Sequence, residues 1–239
     1  MKKLSFVFFL FLVMKLGAQD LSSFNSLTVT YKFHPKYFLF LETQMRGIES
    51  FSYPDYYEVK GGVGYNLTPN HKPFIGIGRY GTYKDHKFDK EEFRIWLQDV
   101  VDVKAGKFKL ENRVRAEKGW FYSHSNGEKT DRIRFRYRLN VSLPLNNDKV
   151  EPGTIFVNAY DELFFTISDN DPWFSRNRLY GGIGYQVDPT FGLATGYLWQ
   201  REFGLTSNTN LNFIYLALNI NLKSKNDDDD KVFSFPGAD

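Results

Sequence analysis

The sequence predicts an all-β chain: a single antiparallel transmembrane β-barrel of about twelve strands, ten being the smaller alternative, around a polar lumen lined by arginine and glutamate. Three observations carry this expectation. From residue 24 onward the chain breaks into alternating polar and apolar segments of about ten residues, separated by turn chemistry. These segments are longer than the five or six residues usual in soluble strands and match the nine to eleven of a tilted spanning strand. Aromatic residues make up 18% of the chain, yet its mean hydropathy is below zero, as expected when side chains alternate between two environments.

The elements follow in order. Strands are expected near 24–33, 37–47, 56–67, 74–83, 92–103, 107–118, 131–143, 154–165, 175–187, 191–202 and 210–222. That is eleven segments, and a closed bacterial barrel ordinarily has an even number, so twelve is the expectation. HPK, LTPNHKP, KDHKFDK, KAGK, SNGEKTD, LNNDKVEPG, SDNDP, VDPT and LTSNTN are rich in turn residues. Short turns (HPK, KAGK, VDPT) alternate with longer stretches (FSYP, 119–130, 203–209), as in barrels with long loops on one side. No helical period of useful length appears.

Residues 1–18 read as an export signal, with Lys2 and Lys3 before the apolar run Leu4 to Met14 and a small residue, Ala18, before the expected cut. The barrel is expected over 19–223 and an acidic, solvated tail over 224–239. The chain has no cysteine, so disulfides do not stabilise it. Its formal charge of +3 is too small to argue for a nucleic-acid partner, and none is expected. The expected partners are outer-membrane lipid and small anionic solutes, with the chain as a monomer.

The most informative stretch is RIRFRYRL, in which Arg132, Arg134, Arg136 and Arg138 alternate with Ile133, Phe135, Tyr137 and Leu139. Were the arginines to face lipid, each near the midplane would cost roughly 2–4 kcal/mol. Four would approach ~10 kcal/mol, comparable with the stability of a whole domain. The arginines must therefore face the lumen, with the apolar set, continued by Val141 and Leu143, outside. Counter-charges come from neighbouring strands: Glu111, Arg113, Arg115 and Glu117 share one face of FKLENRVRAE, and Glu92, Arg94, Trp96 and Gln98 share another. Asn158, Tyr160 and Glu162, and then Arg176, Arg178 and Tyr180, extend the set. Arginines exceed acids in it, which favours anions if a path exists; a salt-bridged plug is the competing outcome. A soluble β-sandwich would show the same alternation with shorter strands.

The order of Glu92-x-Arg94-x-Trp96, ENRVRAE, RIRFRYRL, Tyr160-Asp161-Glu162, Arg176-Asn177-Arg178 with GGIGY, and then GYL resembles the domain-of-unknown-function 2490 family. That resemblance covers nearly the whole chain after residue 18 and implies a barrel in the Gram-negative outer membrane. It carries no catalytic residues. GGVGYNLTP at 61–69 and GGIGYQVDP at 181–189 look like one hairpin design used twice, with glycines that pack a barrel wall.

Enzymatic alternatives are weak. His124-Ser125-Asn126-Gly127 resembles the HxSNG motif of outer-membrane phospholipase A, but here His and Ser are adjacent, which on a strand sends them to opposite faces. His86 with Asp85 and Asp89 could sketch a protease-like pair within an ordinary charged loop. His34 and His71 stand alone in turns. No metal-ligand spacing appears, and no catalytic residue, cofactor or metal is expected.

Overall fold

The computed structural model describes residues 21–47, 53–168, 171–204 and 206–224. The expected export signal at 1–18 and the acidic tail, apart from Ser224, lie outside them. So do Phe233 and Phe235, the aromatic residues that could have ended a closing strand.

Among the described residues eleven strands form one closed barrel in chain order: β1 (Leu21–His34), β2 (Tyr37–Gly47), β3 (Pro54–Tyr65), β4 (His71–Lys84), β5 (Lys87–Ala105), β6 (Phe108–Ser123), β7 (Lys129–Pro144), β8 (Ile155–Ser168), β9 (Asp171–Gln186), β10 (Phe191–Phe203) and β11 (Asn208–Lys223). The expectation of twelve strands is thus corrected to eleven. All neighbours in sequence pair antiparallel, but β1 and β11 close the cylinder in parallel, with Leu21 opposite Asn212 and Lys32 opposite Lys223. The evenness rule assumes that the last strand meets the first antiparallel. A parallel seam removes that requirement and leaves the two ends of the described chain on opposite rims.

Leu21 marks the N-terminal rim, which also carries the β2–β3, β4–β5, β6–β7, β8–β9 and β10–β11 connections; the other connections lie at the C-terminal rim. The expected division into a short-turn side and a long-loop side does not hold. The connection 145–154 shares the C-terminal rim with the turns 35–36 and 106–107. At the opposite rim, Asp85 (φ 50°) and His86 (φ 60°) both take the left-handed conformation and close β4 to β5 in two residues. Most of KDHKFDK is therefore strand, and β6 likewise runs on to Ser123. The connection 145–154 is held from within. The Thr154 hydroxyl accepts from Asn147 Nδ2 at 2.7 Å and from the Glu151 amide at 3.0 Å, and Asn146 Nδ2 donates to the Gly153 carbonyl at 2.9 Å. On its exposed side Lys107 reaches Asp148 at 2.7 Å and holds that carboxyl below its ordinary range.

Strand alternation sorts the two faces. Outside, Leu41, Val59, Ile75, Ile77, Leu97, Val114, Phe135 and Leu193 form an exposed apolar band; Leu97 is 62% and Ile75 58% exposed. Aromatic residues border the band at both rims. Phe93 stacks on Trp120 with ring centroids 5.9 Å apart, and Phe174 contacts Phe165 and Phe203 at the N-terminal rim. Phe33, Tyr37 and Tyr65 form a chain of ring contacts at the C-terminal rim. Two polar pairs lie on this outer face: the Tyr137 hydroxyl donates to Asn112 at 2.8 Å and the Tyr197 hydroxyl to Asn212 at 2.5 Å. Pairing satisfies them without water.

Inside, two apolar clusters flank the charged residues. Phe24, Tyr160, Tyr180, Leu198, Phe213 and Tyr215 pack together from β1 and β8–β11, and Phe38, Phe40, Phe74, Trp96 and Val100 from β2, β4 and β5. The repeated glycine hairpins explain part of this packing. Gly64 lies opposite Phe38 across the β2–β3 ladder, and Gly184 opposite Phe156 across β8–β9. In each case the phenyl ring occupies the space a glycine Cβ would need. The two echoes are one device: a missing side chain on one strand seats an aromatic ring from the next. Gly64→Val is expected to destabilise the barrel by about 1–3 kcal/mol, because the Phe38 ring must leave a packed site. Urea unfolding followed by tryptophan fluorescence reads the loss, whereas Gly106→Ala at a solvent-exposed turn tests only the left-handed backbone (φ 61°).

Candidate functional site: an ion-paired lumen

The register aligns the charged strands rung by rung. Arg94 sits opposite Gly119, Gln98 opposite Arg115, Glu117 opposite Arg134, Arg115 opposite Arg136, and Arg138 opposite Glu162. Arg178 completes the row beside Glu162. Direct Arg–Arg rungs at 113/138 and 115/136 would repel unless carboxylates reached them diagonally, and long side chains do so.

Glu117 and Glu162 are the two hubs. Glu117 receives Arg134 at 2.5 Å, Arg136 at 2.9 Å, Arg115 at 3.4 Å and Arg94 at 3.6 Å. Glu162, fully buried, receives Arg113 at 2.5 Å and Arg136 at 2.7 Å, with Arg178 at 3.9 Å. Two carboxylates thus serve six guanidiniums. Two lesser centres complete the ladder: Glu92 accepts both Nε and Nη2 of Arg94 at 2.8 Å and Arg132 at 3.4 Å, and Glu111 takes Arg138 at 3.3 Å. Arg176 pairs with Glu202 at 2.7 Å near the N-terminal rim.

Aromatic faces supply further stabilisation to the cations. Arg94 lies 3.8 Å over the Tyr80 ring, Arg115 5.2 Å over Trp96, and Arg138 5.2 Å over Tyr160. Every residue expected in the ladder, from Glu92 to Arg178, faces the lumen. All but Arg132 and Arg176, both near the rim, are buried there. The arginine row and the two apolar clusters fill this interior together, so the lumen is less purely polar than expected.

Several members were not anticipated. On β2 and β3, Glu42, Gln44, Arg46 and Lys60 join Glu58 in a second buried network, with Lys60 2.6 Å from Glu58 and 2.9 Å from Glu42. The alternation in FLETQMR and YEVK carries that signal. Lys72 reaches Asp102 at 2.9 Å, with Lys109 at 3.3 Å from the same carboxylate. Gln200 accepts from Arg178, as Gln98, expected on one face with Glu92 and Arg94, does from Arg115.

The histidine candidates resolve differently. The Ser125 hydroxyl lies 2.9 Å from that of Ser123, while His124 contacts Glu91 at 3.8 Å and packs on Phe88 and Tyr122. His86 packs on Tyr53 at 4.0 Å. His71 is not alone in a turn: as the first residue of β4 it bonds Asp99 at 2.7 Å on the outer face. Among the described residues no group of three or more His, Cys, Asp or Glu could hold a metal.

Removing one hub charge should expose the dependence on it. Glu162→Gln takes the hub carboxylate from Arg113 and Arg178 and leaves Arg136 with Glu117, and a loss of about 3–5 kcal/mol is expected. Glu91→Gln, which breaks the exposed pair with Arg79, should cost at most about 1 kcal/mol. Urea titration of the two variants against the parent measures both, and equal losses would contradict the hub assignment.

Comparison with curated proteins gives no match. The family model described as a protein of unknown function (DUF2490) matches residues 21–212, from the first residue of β1 into β11. With the lumen-facing arginine and glutamate rows all inside that span, the chain belongs to the DUF2490 family.

Proposed function

We propose that the chain is a transmembrane β-barrel of the Gram-negative outer membrane whose lumen is sealed by its own ion-paired side chains. On this reading it is a rigid, non-conducting and non-enzymatic barrel that acts through the surfaces at its rims. The observation that carries the proposal is the inversion of the two faces. Arg113, Arg138, Glu111 and Glu162 are almost completely buried inside, while Ile75, Ile77 and Leu97 are more than half exposed between two aromatic borders. A soluble protein gains by the opposite arrangement, and exposed apolar bands of this kind suit acyl chains. Its partner on that face is outer-membrane lipid. The chain acts as a monomer, without nucleic acid, and the export signal expected at 1–18 supplies the route.

Flotation of the purified, refolded protein with liposomes, together with conductance in a planar bilayer, tests the proposal. The barrel should float, should migrate differently on gels before and after heating, and should leave the bilayer silent. Failure to float would remove the membrane reading; steady conductance would remove the seal.

A narrow anion-selective path is the second reading, favoured by the excess of arginine over glutamate in the ladder. It requires the network to open. If it does, the conductance should be anion-selective, and Arg134→Glu should shift the reversal potential in a salt gradient toward cation selectivity. Selectivity unchanged by that substitution would exclude the arginine row as the path.

A further inference from the structure

Near the N-terminal rim, the outer wall of β4 to β7 changes character within three rungs. In the middle rung Arg79 on β4 lies opposite Phe93 on β5, Phe93 opposite Trp120 on β6, and Trp120 opposite Asp131 on β7. The Phe93 and Trp120 rings stack with their planes 24° apart. A basic and an acidic group thus flank a flat aromatic platform. One rung nearer the rim, Glu91 stands opposite Tyr122 and Tyr122 opposite Lys129, with the signs exchanged between the two sides. These two rungs line a cleft of about 450 Å³, a size usual for small-molecule sites.

The third rung, toward the apolar band, holds the exposed residues Ile77, Ile95 and Ile133, with Lys118 between the last two. The Lys118 ammonium leaves this apolar rung and reaches back to Asp131 in the middle one. A stem laid on apolar surface with its head raised to a polar level is how lysine behaves at the edge of a bilayer. Stacked Trp and Phe suit the same level. The wall therefore reads, from band to rim, as apolar residues, then Lys118, then the platform, then Glu91.

Both signs of charge are present and open to solvent. Arg79 pairs with Glu91 and Lys118 with Asp131, while the Arg79 side chain is 68% and that of Asp131 54% exposed. Exposed pairs of this kind add little to stability and exchange partners readily. A simple anion would take the bases and strand the carboxylates, and a simple cation would do the reverse. A ligand carrying both signs strands neither.

We propose that this cleft binds the headgroup of a zwitterionic phospholipid of the phosphoethanolamine class. The acyl chains lie over Ile95 and Ile133, the phosphate takes Lys118 and Arg79, and the ammonium crosses the Trp120 face to Glu91. Asp131 keeps Lys129, two residues away on the same face. The order of charges with depth matches the order of groups along the lipid. A choline headgroup has no N–H to give Glu91, and a glycerol headgroup has no cation. The proposal rests on the membrane reading above and names the lipid that one place on the wall selects.

For the test, the full chain refolded in a non-ionic detergent is titrated with dilauroyl phosphatidylethanolamine, phosphatidylcholine and phosphatidylglycerol. Native mass spectrometry counts the bound lipid. The ethanolamine lipid should bind about tenfold more tightly than the other two, each of which lacks one charge-assisted bond. Glu91→Gln should abolish that preference. Lys118→Met, which keeps the stem and removes the charge, should weaken binding of all three by about tenfold. Lys107→Gln at the opposite rim should change nothing. Flotation with phosphatidylcholine liposomes separates this site from the membrane reading. A chain that floats but shows no ethanolamine preference keeps the membrane reading and loses the site. Tighter binding of the glycerol lipid, or unaltered binding in both platform variants, overturns the site as well. A chain that does not float loses both.

Discussion

Two carboxylates hold this barrel's interior together. Glu117 and Glu162 are the points at which guanidiniums from β5, β6, β7 and β9 converge, and six buried arginines on those strands share them. The demand arises in β7. Four consecutive lumen-facing positions there are arginine, so the neighbours on both sides must supply acids, ring faces and amide oxygens at matching depths. β6 supplies Glu111 and Glu117, β8 supplies Glu162 with Phe164 and Tyr160, and β5 supplies Glu92 with Trp96 and Gln98. A slip of one residue between any of these strands would turn the charges outward and the apolar band inward. The network therefore fixes register as well as filling space.

The same constraint divides the interior into zones. Strands β5 to β9 carry the arginine ladder, whereas β1, β10 and β11 present mostly small, aliphatic or aromatic residues to the lumen, among them Ser22, Phe24, Ser26, Ala194, Leu198, Phe213 and Tyr215. The parallel seam between β1 and β11 falls on this second side. A parallel ladder is slightly the weaker pairing per residue. Here it is closed over an aromatic cluster, in which Phe24 contacts both Phe213 and Tyr215 across the seam. Close ring packing from inside supports the joint.

Much of this was legible in the sequence because period-two alternation is unambiguous over long segments. RIRFRYRL and ENRVRAE assign their own faces, and all thirteen ladder positions fall together as a result. The pairing of particular charges was not legible. The register that sets Arg113 against Arg138, and sends both to carboxylates elsewhere, depends on turn lengths that residue types fix poorly. The two-residue turn at Asp85-His86 is an example: it uses left-handed residues that are not glycine, so KDHKFDK reads as a loop. The strand number went wrong for a different reason. The segments were counted correctly, but a rule about antiparallel closure was applied to a barrel that closes in parallel. The β2–β3 network was visible in FLETQMR yet was overshadowed by the denser arginine row.

The closed interior and the odd strand number have a joint consequence for how this chain could be rearranged. In an even-stranded barrel a tight turn can join the last strand to the first, so new ends can be opened at any loop. Here Lys223 and Leu21 lie at opposite rims, and the lumen between them is filled by side chains. A segment joining them would have to climb the outside wall across the whole apolar band, at about 3.3 Å per extended residue. The order of strands is thus locked to one linear reading of the chain, and circular permutation, which many barrels tolerate, is closed to this one by geometry.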